Sequence, residues 1–136
     1  MTLHVQIITP EKVIYEAEAD EIIIPTVTGE ITVLPQHVPV LSQLAPGELV
    51  IKVHGKVEHL VVVGGFVEIT PKEVTVLADY AVHGKDISEA EAKEAKERAE
   101  KMMKDSTSQK DFAIAEAELR RALLELRIAG KVKGIH

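Results

Sequence analysis

The chain has 136 residues with no cysteine, no tryptophan and only two tyrosines and two phenylalanines. That length allows one or two small domains. The missing cysteines exclude disulfide staples and thiolate chemistry, and so few rings leave few stacking platforms, which argues against single-stranded nucleic-acid binding. The net charge of −6 lies in residues 1–85, where eleven acids face five lysines, whereas residues 86–136 hold eleven of each sign. An acidic body argues against a nucleic-acid partner.

Met1-Thr2-Leu3-His4-Val5 enters a strand pattern at once, which predicts no room for a signal peptide. No apolar run approaches the ~18 residues needed to cross a bilayer, so no direct membrane insertion is expected. Leu3 to Ile8 reads as a strand that stops at Thr9-Pro10. Val13–Ala17 and Asp20–Pro25 follow, the second almost wholly apolar at Ile22, Ile23 and Ile24 and therefore central. Glu30–Leu34 comes next. Leu49–Val53 and Val57–Val63 flank His54-Gly55, a hairpin signal. Phe66–Thr70 and Val74–Ala78 flank a turn at Pro71-Lys72-Glu73. Gly64-Gly65 reads as a bulge or a close backbone contact. Short strands at regular spacing predict an antiparallel sandwich or barrel, and nothing before residue 86 resembles a crossover helix.

The chain changes character at Gly84-Lys85. Every proline lies at or before Pro71 and nearly every valine before that break; beyond it the sequence is Ala, Glu, Lys, Arg and Leu. This divides the chain into a β body, 1–85, and a helical arm, 86–136. Ser88-Glu89-Ala90-Glu91 has the spacing of a capping box, and Ala92, Ala95, Ala99 and Met102/Met103 recur at the helical period. Ser106-Thr107-Ser108-Gln109 offers a second cap. Phe112, Ala115, Leu119, Ala122, Leu126 and Ala129 form the stripe of a second helix that Gly130 and Gly134 are expected to end. The short polar connection predicts an antiparallel hairpin. The second helix carries another stripe, Ile114, Ala117, Leu124 and Ile128, which packs on the body, meets a partner protein or alternates between the two. Arg120, Arg121, Arg127, Lys131 and Lys133 make the arm's end basic, suiting a helix C-terminus or an acidic partner.

The search for chemistry is mostly negative. The chain has no phosphate-binding loop, no dinucleotide fingerprint and no nucleophile elbow. His54 and His59 flank a turn without a third ligand at metal spacing, and His4 and His83 read as solvated. Catalytic, metal and cofactor residues are therefore assigned as none. His37 stands apart: Pro35 and Pro39 stiffen the loop around it, presenting Gln36 and His37 as a rigid contact surface or simply as a well-made turn.

Gly29-Glu30-Ile31-Thr32-Val33-Leu34-Pro35-Gln36-His37-Val38-Pro39, then Gly47, Gly64-Gly65-Phe66-Val67-Glu68, Thr75-Val76-Leu77-Ala78-Asp79 and the two-helix tail together resemble the epsilon subunit of bacterial and chloroplast F-type ATP synthases along the whole chain. The resemblance implies an N-terminal antiparallel β-sandwich of about ten strands followed by a C-terminal antiparallel two-helix hairpin. It implies a non-catalytic place on the central rotor, on the cytoplasmic face of a bacterial membrane, with the sandwich bound to the gamma subunit and the c-ring. Glu30, Gln36 and His37 would face the polar loops of that ring. Arg120, Arg121, Leu124, Arg127 and Ile128 would meet gamma or the catalytic head when the arm extends to inhibit hydrolysis. Some members of the family bind ATP through an Ile/Leu-Asp-x-x-Arg-Ala motif. Here that segment is Ile87-Ser88-Glu89-Ala90-Glu91-Ala92, with a carboxylate where the phosphate-pairing guanidinium belongs. Arg98 and Arg121 remain, but no nucleotide site is assigned. The competing class is a free-standing binding module with a helical recognition arm.

Overall fold

The computed structural model describes residues 1–134; the last two residues of the 86–136 segment lie outside it. The chain forms two compact units, Met1–Gly84 and Lys85–His136. The first contains β1 (Leu3–Ile8), β2 (Val13–Ala19), β3 (Glu21–Thr26), β4 (Gly29–Val33), β5 (Val40–Gln43), β6 (Gly47–Val53), β7 (Lys56–Ile69) and β8 (Glu73–His83). The second contains α1 (Glu89–Asp105) and α2 (Gln109–Gly134), after a 3₁₀ turn over Gly84–Asp86.

The strands follow the order β2-β1-β8-β7-β6-β3-β4, with β5 beside β7. Strands from opposite ends of that order share one core: Val5, Ile7, Val74 and Val76 cluster with Ile22, Ile24, Val33 and Ile51. The sheet is therefore folded on itself as a sandwich. Pairing is antiparallel except between β1 and β8, which run parallel, a non-local pairing that no local sequence signal marks.

Eight strands stand where the resemblance implies about ten. The segments read as two strands around Gly64-Gly65 are one, β7, fourteen residues long and paired with β8 from Leu60↔His83 to Ile69↔Val74. The register is the same on either side of Gly64, so no residue is inserted and the glycines mark a close approach rather than a bulge. Both have positive φ, +69° and +103°, and a Cβ on Gly65 would fall 2.0 Å from the carbonyl oxygen of Leu77. Only glycine fits there. β5 escapes sequence reading because it is four residues long between Pro39 and Pro46. It forms because Gln43↔Phe66 and Gly47↔Val62 keep one register, so that β5 and β6 are a single interrupted strand along β7.

The His54-Gly55 hairpin is a two-residue turn closed by Val53↔Lys56, with φ of 49° and 82°, the all-positive pattern of a type I′ turn. The His54 N–H donates to Asp20 Oδ2 at 2.9 Å. β3 is hydrogen-bonded on both sides, to β4 and β6, as its apolar run requires.

In the helical unit, Ser88 Oγ accepts from the Glu91 N–H at 3.2 Å and Ser108 Oγ from the Asp111 N–H at 3.1 Å; both serines cap their helices. Lys133 Nζ of α2 lies 2.9 Å from Glu89 Oε1 of α1, and this partner holds the Glu89 carboxyl below its ordinary pKa. The expected end at Gly130 is overturned: α2 runs through it to Gly134. A lone glycine costs a helix only about 1 kcal/mol, less than the flanking turns supply. Phe112, read as part of the inner stripe, is exposed, whereas Ala115, Ala122 and Ala129 are buried.

These two glycines have opposite expected responses. Gly65→Ala destabilises the sandwich by about 3 kcal/mol, because it adds steric overlap to positive φ. Gly130 has nothing within 4 Å of a built Cβ, so Gly130→Ala raises helix stability by about 0.5–1 kcal/mol. Urea unfolding of the body and thermal loss of helical dichroism measure the two effects.

Candidate functional site

Residues paired directly across neighbouring strands share a face, and the register therefore sorts the β1–β8–β7–β5 layer into an inner and an outer side. Ile7↔Val76 and Val76↔Val67 lie inward and are fully buried. The next row along, Val13, Ile8, Leu77, Phe66 and Gln43, is linked by Ile8↔Val13, Ile8↔Leu77, Phe66↔Leu77 and Gln43↔Phe66. This row lies outward. Phe66 is 54% exposed and Leu77 52%, and Leu41, two residues along β5 from Gln43, is 74% exposed. Four strands thus carry one exposed apolar strip. The signal was present in the sequence: Phe66-Val67 and Val76-Leu77 are apolar in both phases of a period-2 pattern, which leaves one of each pair facing out.

The proline loop adjoins β5. The His37 N–H donates to the Leu34 carbonyl at 3.2 Å, with Pro35 and Gln36 in the middle positions and Gln36 at φ 73°. That is a type II turn with proline in its preferred place and a non-glycine residue in the left-handed one. The Gln36 N–H donates to the Pro71 carbonyl at 2.8 Å, fastening the turn to the β7–β8 connection. His37 Nδ1 lies 2.7 Å from the Val38 carbonyl oxygen, which can only accept, so the ring donates there. Leu34 and Val38, on either side, are exposed. Glu30 is exposed in β4, opposite Pro25.

The arm's candidate residues fall into different environments. Arg120 Nη2 is 3.3 Å from Glu116 Oε1 and Arg121 Nε 3.0 Å from Glu125 Oε1, both one helical turn apart. Arg127 is exposed, Leu124 half-buried and Ile128 fully buried. The second stripe is thus open at Ile114 and closed at Ile128.

Of the two histidines expected to be solvated, His4 is exposed and His83 is not. His83 is buried opposite Leu60, its Nε2 2.9 Å from Glu58 Oε2 and its ring 5.8 Å from that of Tyr15. Burial and then the Glu58 charge raise the Tyr15 pKa. His4 bridges two carboxylates. His59 Nδ1 lies 2.7 Å from Glu48 Oε2, and no group of three metal-ligating side chains occurs among the described residues. None of the described helices is long and apolar enough to cross a membrane.

Valine cannot hold φ 73° without strain. Gln36→Val is therefore expected to cost about 1–2 kcal/mol and to loosen the turn, whereas Gln36→Gly leaves stability within about 0.5 kcal/mol. Urea unfolding and the protection of the Gln36 amide measure both.

Residues 2–84 match the family model for the ATP synthase delta/epsilon chain β-sandwich domain, and residues 85–130 the model for its long α-helix domain. The ATP synthase epsilon chain of Thioalkalivibrio sulfidiphilus is 43% identical over 135 residues, 98% of this chain and 96% of that one. That of Nitrosospira multiformis is 44% identical over 131 residues, 96% and 94% of the two chains. Among solved structures, a chain of the Euglena gracilis mitochondrial ATP synthase superposes with a TM-score of 0.68 at 24% identity, over 98% of this chain and 80% of that one. A chain of the Tetrahymena thermophila central stalk and c-ring superposes with 0.61 at 17%, over 95% and 97%. These two likenesses concern the fold. With both domain models matched in order and identity above 40% over nearly the full length, the chain belongs to the ATP synthase epsilon chain family.

Proposed function

We propose that this chain is a non-catalytic rotor subunit of an F-type ATP synthase, held at the cytoplasmic face of the membrane by its partners. The sandwich, 1–85, docks by its outer face on the gamma subunit and by the turn at Gln36 and His37, with Glu30, on the polar loops of the c-ring. The arm, 86–136, reaches gamma or the catalytic head through the surface that carries Arg120, Arg121, Leu124, Arg127 and Ile128, and restrains hydrolysis there. The observation that carries the docking is the apolar strip of Leu41, Phe66, Leu77 and Val13, left exposed on an otherwise acidic body. An apolar patch spanning four strands marks a partner surface. Ile128 is buried, so a partner reaches it only after the arm rearranges. The free-standing module is the weaker reading, because relatives named as ATP synthase chains match nearly end to end.

Phe66→Glu and Leu77→Glu should each weaken binding of the full chain to an ATPase complex stripped of this subunit by about tenfold or more, the loss of about 1.4 kcal/mol or more at an interface anchor. Unchanged affinity in both variants would move the gamma surface elsewhere.

Removing everything after Asp86 should leave a folded sandwich that still binds that complex, with ATP hydrolysis equal to or above the intact level. The steady-state rate of the reassembled complex is the measurement. A clear fall with assembly intact would sink the inhibitory role.

A further inference from the structure

His4 has carboxylates at both of its ring nitrogens. Nδ1 lies 2.7 Å from Glu18 Oε2 and Nε2 2.7 Å from Glu16 Oε2. An ionised carboxylate can only accept, and a neutral imidazole donates from one nitrogen while presenting a lone pair at the other. Both contacts are hydrogen bonds only when the ring carries both protons, and such charge-assisted bonds have these short distances. The bridge ties β1 to β2, the terminal strand of the sheet order, whose pairing with β1 is already irregular at Ile7/Ile8. Thr2 Oγ1 adds a bond to Glu18 Oε1 at 3.3 Å.

We propose that His4 is a proton-operated clamp on the edge strand β2: as the imidazolium it holds Glu16 and Glu18 together, and on losing a proton it lets one of them go. The charged groups facing it are Glu16 and Glu18 of β2, Glu73 of β8, Lys72 before it and the amine of Met1. Glu73 is the Cα partner of His4 across the parallel pair. Met1, Glu18, Lys72 and Glu73 line a cleft of about 350 Å³ with His4, and Gln36 of the proline turn lines it too. The two carboxylates bonded to the ring, Glu18 and Glu16, favour the cation. The bonds to Glu18 and then Glu16 raise the His4 pKa above its ordinary 6.5. A raised folded-state value means the clamp is complete below the unfolded pKa and is lost as pH rises through the folded one.

Position decides what the clamp reaches. Four strand residues, about 13 Å, separate His4 from Ile8 in the apolar row, beyond a screening length of about 8 Å at physiological salt. The clamp therefore acts on β2 around Glu16 and Glu18 and on the end of the body where Gln36 sits, away from Leu41, Phe66 and Leu77 of the apolar strip. Its side chain is 42% exposed, so salt weakens it.

Histidine titration by NMR on the full chain, with amide protection along β2, tests the proposal. In the wild type, His4 should titrate above 6.5 and move down in Glu16→Gln, in Glu18→Gln and furthest in the double variant. High salt should also lower it. Protection at Glu16–Glu18 should fall several-fold as His4 loses its proton, and His4→Gln should abolish that pH dependence while leaving the core amides unchanged. A His4 titration indifferent to both glutamate substitutions overturns the clamp, and so does β2 protection that follows the same pH course in the wild type and in His4→Gln.

Discussion

The pairing of β7 with β8 is the constraint on which the rest of the body depends. These are the longest strands, and they stay in one register from Leu60↔His83 to Ile69↔Val74. Continuity is possible because Gly64 and Gly65 take positive φ and let the β7 backbone lie against Leu77 and Ala78 where no side chain would fit. The neighbours follow from that ladder. β6 and β5 lie end to end along the far side of β7 in one register, and β1 adds in parallel beside β8. The outward row at Phe66 and Leu77 is a consequence too. Once Val67 and Val76 are committed to the core, alternation leaves the apolar residues beside them on the surface.

How much of this was legible in the sequence depends on the range of the interaction. Features set by a few neighbouring residues read directly. His54-Gly55 announced a hairpin turn, which the structure closes with both φ values positive, and the caps at Ser88 and Ser108 follow from serine placed before a helical period. The proline turn was legible as stiff, though not that the Gln36 amide is fastened to Pro71 from a distant connection. Features set by distant partners did not read. β5 exists because β7 continues past β6, and the β1–β8 pairing joins the two ends of the body. His83 looked like a solvated end residue and is buried, because the fold brings Glu58 and Tyr15 to it. Gly130 misled in the other direction, since a helix interior tolerates one glycine when the surrounding turns are good helix formers.

The candidate site divides the same way. The turn residues Gln36 and His37 stood out through their prolines, which act locally. The apolar strip lies on four strands whose order the sequence does not state, so its members read as ordinary strand residues until register put them in one row. The clamp on β2 has the same origin: His4, Glu16 and Glu18 become one unit only because β1 pairs antiparallel with β2.

The two units differ in what they bury, and that bears on their roles. The body buries Leu3, Ile7, Ile22, Ile24, Leu49, Ile51, Leu60 and Ile69 almost completely, side chains that each contribute about 1.5–3 kcal/mol. Among the described residues of the helical unit, the buried apolar side chains are five alanines and Ile128. An alanine methyl contributes only about 0.8 kcal/mol. The caps, the intrahelical arginine pairs and the Glu89–Lys133 bridge are exposed, solvent-screened interactions that each add little. A segment stabilised in small increments opens at lower free-energy cost than one built on large buried side chains. A change of partner has to overcome only that small difference, since two arrangements interconvert usefully when they lie within a few kcal/mol of each other. Under the proposed function, a body that must keep its shape on the rotor and an arm that must be able to leave its place make opposite demands on burial. The change from valine and isoleucine to alanine at Gly84-Lys85 meets both within one short chain.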